Sequence, residues 1–141
     1  MNIAYTARAT ANGNGRNGIS ATDDGRVTVT LATPTEMGGS GKGTNPEQLF
    51  ATGYAACYLG AMRYAAGQAK IDMPKDATVA AHVSIGPRDD GKGFGLVVSM
   101  DVTLPGMAKD AADDLAARGH VVCPYSHSIH GTVDVTTNVH V

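Results

Sequence analysis

A chain of 141 residues with a net charge of -2 and a pI near 6.2 is the length of one domain, residues 1–141; it has no basic patch for a nucleic acid and no polybasic run for a membrane surface. Met1-Asn2-Ile3-Ala4-Tyr5 lacks the basic start and apolar stretch of a secretory signal, and no run nears the ~18 apolar residues of a membrane span. What these exclusions leave is a cytoplasmic enzyme or binding protein. Leu, Ile, Val and Phe supply only 26 residues, whereas Ala supplies 21 and Gly 18. Small side chains bury little area, at roughly 25 cal/mol per Å². A thin core completed by a partner subunit is therefore expected.

Residues 2–32 are predicted to form strands. Val27, Val29 and Leu31 alternate with Thr28 and Thr30, and Asp23-Asp24-Gly25 ahead of them is a hairpin signal. Asn12-Gly13-Asn14-Gly15 is a turn, followed by Arg16. Pro34 and four glycines make 33–44 a connecting loop. A helix over about 46–68 comes next. Asn45 can cap it, Pro46 suits its first position, and Gln48 lies three after the cap. Leu49, Phe50, Gly53, Ala56, Cys57, Gly60, Ala61 and Tyr64 give it an apolar face at spacings of three and four.

Residues 77–86 and 94–104 are predicted strands joined through Asp89-Asp90-Gly91-Lys92-Gly93, and Pro105-Gly106 breaks the pattern. A second helix covers 107–121. Cys123-Pro124 is expected to end it, because proline disfavours helical geometry at the residue before it. An irregular turn over 124–130 and a strand from Thr132 to Val141 complete the chain. The order defines an α+β fold with mostly antiparallel sheet and a long small-residue helix at its centre.

The chemistry-bearing residues are few. Two cysteines, Cys57 and Cys123, are too few for a disulfide scaffold. In a reducing compartment, a pair that reacts is catalytic or sensing. Cys57 is either a small core residue or a reactive thiol. Cys123 follows a helix C-terminus, whose negative end disfavours a thiolate. It is therefore the poorer attacking thiol and the better resolving one. Arg16, in Gly15-Arg16-Asn17-Gly18, is either a solvated side chain or a cation that lowers a thiol pKa from about 8.5. Its fork of donors could hold a carboxylate at the same time. Glu47 lies ten residues before Cys57, about 15 Å along a straight helix, and cannot touch it directly. Cys123, His127 and His130, with His120 near, have spacing open to a metal but match no zinc pattern. Gly38 to Thr44 resembles a phosphate loop but fails its pattern, because Gly43 follows Lys42 and position 36 is Glu.

Two segments carry a family resemblance. Asn45-Pro46-Glu47-Gln48-Leu49-Phe50-Ala51-Thr52-Gly53-Tyr54-Ala55-Ala56-Cys57 resembles the central-helix motif of the organic hydroperoxide resistance (Ohr) proteins of the Ohr/OsmC superfamily. Val122-Cys123-Pro124-Tyr125-Ser126 resembles their second cysteine motif and points to the Ohr branch rather than the OsmC branch. The His127 to His130 segment is not a pattern of that family.

The resemblance implies an intertwined homodimer with sheets wrapped around central helices. It implies a thiol peroxidase acting on organic hydroperoxides, with Cys57 as the attacking and Cys123 as the resolving cysteine. Arg16 and Glu47 would be the activating pair. A lipoylated protein or dihydrolipoamide would be the reductant, and no cofactor would be needed. Thiolate attack would leave a sulfenic acid, which Cys123 would close into a disulfide; that requires Cα atoms within about 7 Å. Glu47 would orient Arg16, and the Arg16 side chain with a curved or frayed helix start would bridge the gap to Cys57. Phe50, Tyr54, Phe94 and Tyr125, chosen by type and location, would form an apolar mouth. The alternatives are a non-enzymatic redox or metal-binding module using Cys123 and the histidines, and an OsmC-branch peroxidase.

Overall fold

A computed structural model describes residues 1–141, which form two compact units, Met1–Leu49 and Phe50–Val141. The first unit is an antiparallel sheet of β1 (Ala9–Asn12), β2 (Ile19–Thr22) and β3 (Thr28–Thr30), in that order. The predicted strand region is thus narrower than 2–32. Residues 2–8 form no strand, and Gly15–Asn17 is a 3-10 turn. The hairpin at Asp23-Asp24-Gly25 forms because Asp24 accepts from the Thr22 hydroxyl at 2.7 Å and the Arg26 N–H at 3.0 Å, a local bond typical of Asp in turns.

Helix α1 (Pro46–Ala69) opens at the end of this unit. The Asn45 side chain accepts from the Gln48 N–H at 2.9 Å, and the Gln48 side chain accepts from the Asn45 N–H at 3.0 Å. This reciprocal cap satisfies two otherwise orphan donors. The start of α1 is therefore closed, which sets aside the frayed alternative of the expected curved or frayed start.

In the second unit β4 (Thr78–Pro87) pairs antiparallel with β5 (Phe94–Thr103), and β5 pairs parallel with β6 (Asp134–His140). The parallel pair is possible because α2 (Lys109–Val122) and α3 (Pro124–Ile129) lie between those strands in sequence and provide the crossover. The molecule is α+β, as the element order implies.

The core holds Val98, Met100 and Val102 of β5, with Leu104 after it, against Tyr54, Tyr58 and Met62 of α1 and Leu115 of α2. The buried face of α1 is therefore Tyr54, Tyr58, Ala61, Met62, Ala65 and Ala66. Of the predicted face only Ala61 is among them. Apolar and small residues surround this helix, so spacing alone leaves its orientation open. The larger side chains of Tyr54, Tyr58 and Met62 remove more area from water and turn that side inward.

The helices approach closely at one point. A Cβ on Gly119 would sit 2.5 Å from Met62 Cγ and 3.0 Å from the Tyr58 ring. The absence of a side chain there lets α2 lie on the middle of α1, and the Tyr58 hydroxyl donates to the Ala116 carbonyl at 2.7 Å.

Candidate active site

Cys57 points from the third turn of α1, and Cys123 sits at the joint where α2 ends and α3 begins. Their Sγ atoms are 3.5 Å apart and both are free thiols. Cys123 is fully buried and Cys57 half-buried. The turn over 124–130 expected from sequence is the short helix α3, with Pro124 at its first position. Proline ends α2 and starts α3 because its fixed φ suits a first helical residue.

That helix also reaches the site. Burial pushes the Cys57 thiol up, and the hydrogen bond with Cys123 and the charge a second thiolate would carry push it further. A hydrogen bond from the Tyr125 backbone N–H to Cys57 opposes them. This N–H is one of the unpaired donors of a helix first turn. Sequence reasoning missed it by treating Pro124 only as a terminator.

Three of the four residues expected to form an apolar mouth come together. The Phe50 ring stacks on Tyr125 at 5.8 Å, and Tyr54 is tilted against both at 5.6 and 5.8 Å. Tyr54 is fully buried and so forms the floor of this group, whereas Tyr125 is 39% exposed. Phe94, 63% exposed at the start of β5, makes no ring contact with the three.

A polar chain missed by the sequence reading runs beside them. The Tyr54 hydroxyl is 2.9 Å from Ser126 Oγ, Ser126 Oγ is 2.9 Å from His120 Nδ1, and His120 Nε2 is 2.8 Å from Thr137 Oγ1. The His120 ring also lies 4.3 Å from that of Tyr58. Burial holds His120 below the usual imidazole range, in its neutral form. Histidines at 120, 127 and 130 suggested a metal from their spacing, but no group of three His, Cys, Asp or Glu is placed to hold one.

In the first unit Arg16 and Glu47 form a two-point ion pair, Nη1 to Oε2 at 2.9 Å and Nη2 to Oε1 at 2.6 Å. The forked geometry gives both charge and fixed orientation. The Arg16 hydrogen bond holds the Glu47 carboxyl below the usual carboxylate range, and the same bond raises Arg16. The loop carrying Arg16 is pinned by Asn17, whose side chain accepts from the Thr33 N–H at 3.0 Å.

The OsmC-like protein family matches residues 39–138. An organic hydroperoxide resistance protein of Xanthomonas axonopodis pv. citri is 46% identical over 135 residues, spanning 95% of this chain and 93% of that protein. An organic hydroperoxide resistance protein OsmC of Legionella pneumophila superposes with a TM-score of 0.93 at 44% identity, covering 99% of this chain and 100% of that one. OhrB of Bacillus subtilis superposes with a TM-score of 0.86 at 36% identity, covering 96% and 98%. The chain belongs to the OsmC-like family. Within it, relatives that match nearly its whole length carry the name organic hydroperoxide resistance protein. No helix is long and apolar enough to cross a membrane.

Proposed function

We propose that this protein is a cytoplasmic thiol-dependent peroxidase that reduces organic hydroperoxides, including those of fatty acids, to alcohols. The observation that carries the reading is the sulfur pair: two free thiols 3.5 Å apart, one half-buried and the other fully buried. The accessible Cys57 attacks the peroxide as a thiolate and becomes a sulfenic acid. Cys123 needs only a short movement to displace water from it and close a disulfide, which protects Cys57 from further oxidation. The Phe50–Tyr125 stack supplies apolar surface for an alkyl chain and favours bulky hydroperoxides over hydrogen peroxide.

Arg16 supplies the positive charge that favours the Cys57 thiolate, and Glu47 holds the guanidinium in place. The two-point Arg16–Glu47 bond supports this assignment. The chain works as one domain in a homodimer. Support for a partner comes from the side of α1 opposite the core, where a Cβ added at Gly60 or Gly67 would meet no other part of the chain within 4 Å and Tyr64 is 60% exposed. A dihydrolipoyl group carried on a protein, or free dihydrolipoamide, returns the disulfide to thiols, and no cofactor takes part.

The test is loss of free thiols after one equivalent of cumene hydroperoxide, compared with hydrogen peroxide. Rapid loss of two thiols per chain is expected with the first and slower loss with the second. Cys57→Ser abolishes turnover, and Cys123→Ser reacts once and then overoxidises. Equal slow loss with both peroxides would overturn the reading.

A further inference from the structure

The hydrogen-bonded chain beside the thiols has no part in the scheme above. Tyr54 lies three residues before Cys57, on the same side of α1. Burial chiefly pushes the Tyr54 hydroxyl up, its hydrogen bond with Ser126 opposes this, and negative charge on Cys123 or Cys57 would push it further. From there the chain passes through Ser126 and His120 to Thr137 of β6. Tyr54, Ser126, His120 and Thr137 all line an open cavity of about 760 Å³, with His127, His130 and Asp134 along its wall. Tyr54, at one end of the chain, has no solvent-exposed surface, whereas Thr137, at the other, is partly exposed.

The peroxidase step needs a proton at the buried end. Cys57–S⁻ + HO–OR + H⁺ gives Cys57–S–OH + HO–R. The S–O bond forms as the O–O bond breaks; sulfur is oxidised, the peroxide is reduced, and the departing alkoxide takes the proton. An alkoxide is a poor leaving group without a positioned acid.

We propose, resting on the peroxidase reading, that the Tyr54–Ser126–His120–Thr137 chain delivers this proton from the cavity, with His120 as the relaying and positioning residue. Tyr54 gives its proton to the alkoxide and takes one from Ser126, which takes the proton on His120 Nδ1. His120 Nε2 takes the Thr137 proton, which cavity water replaces. A neutral imidazole suits this task because it has one donor and one acceptor nitrogen, and burial keeps His120 neutral. Ionisation of Cys57 in the next cycle sends one proton back along the same atoms and restores the first tautomer.

The test uses the reduced full-length chain and two variants. His120→Asn keeps a partner for Ser126 but has no second tautomer, and Thr137→Val removes the outer hydroxyl at nearly constant shape. Single-turnover oxidation by cumene hydroperoxide is compared with alkylation of Cys57 by iodoacetamide, whose leaving iodide needs no proton. His120→Asn is expected to slow oxidation about tenfold or more, with a smaller loss for Thr137→Val. Alkylation should stay near the wild-type rate, and the solvent deuterium effect on oxidation should disappear in His120→Asn. The proposal fails if both variants oxidise at the wild-type rate, or if oxidation and alkylation slow by the same factor. Should His120→Asn not fold, a wild-type oxidation rate in Thr137→Val overturns it. A wild-type chain that alkylates normally but loses no thiol to the hydroperoxide would instead bring down the peroxidase reading itself.

Discussion

Cys57 is the group on which the proposed chemistry turns, and most of its immediate surroundings oppose its ionisation. Burial and the neighbouring Cys123 push the thiol up, and the Tyr125 N–H pulls the other way. A second thiol this close acts like any like-charged pair: once one ionises, the other must keep its proton. Cys123→Ser is therefore expected to move the midpoint of Cys57 alkylation to lower pH. Arg16→Ala should move it to higher pH, and an unchanged midpoint in that variant would remove Arg16 from the activating role. Both are read from iodoacetamide rates against pH.

His120 makes a separate prediction for stability. Its folded pKa lies below the unfolded value of 6.5, so the unfolded chain binds the extra proton first. Its contribution is present above that pH and is lost as pH falls below it. Melting temperature should therefore decline through this window, and His120→Asn should flatten the decline. Glu47 is also depressed and acts in a more acidic window. Its contribution is present above its ordinary value of 4.5 and is lost as pH falls through its lower folded value.

At the scale of elements, Gly119 sets the spacing of α1 and α2. Gly119→Ala is expected to cost about 1–3 kcal/mol by overpacking against Met62 and Tyr58, and to slow disulfide closure by moving Cys123 away from Cys57. Denaturant unfolding and thiol titration check the two halves of that prediction. The end of α1 offers the opposite case. Lys70 there has φ +55°, with its N–H on the Gly67 carbonyl and the Ile71 N–H on the Ala66 carbonyl. This is a left-handed helix cap in which glycine is the unstrained residue. Lys70→Gly should raise stability by up to about 1 kcal/mol, seen as a higher denaturant midpoint at unchanged slope.

The elements also show what the sequence made legible. The Asn45-Pro46-Glu47-Gln48 cap and the β4–β5 hairpin rest on local chemistry and could be read directly. The inward face of α1 could not, because its apolar residues surround the helix and tertiary packing chooses among them. Helix α3 was missed because proline carries two opposite signals, stop and start. The His120 chain joins α1, α2, α3 and β6, and no spacing along the chain foretells such a meeting.

For the whole molecule, the thin core and the uncovered side of α1 argue for association. Sedimentation is expected to give twice the chain mass of 14.4 kDa. Gly60→Arg, which puts a long cation on that open side, should shift the mass toward a single chain; a wild-type chain that stays single and active at high concentration would contradict the homodimer. The unequal exposure of the two sulfurs also sets a direction for the return of electrons. In a bridged pair Cys123 is sealed inside, so an incoming dithiol meets Cys57 first. The transient link to the donor forms there, and Cys123 is the group released. In the proposed cycle, a donor must therefore present its sulfur on a slender arm rather than on a broad protein face.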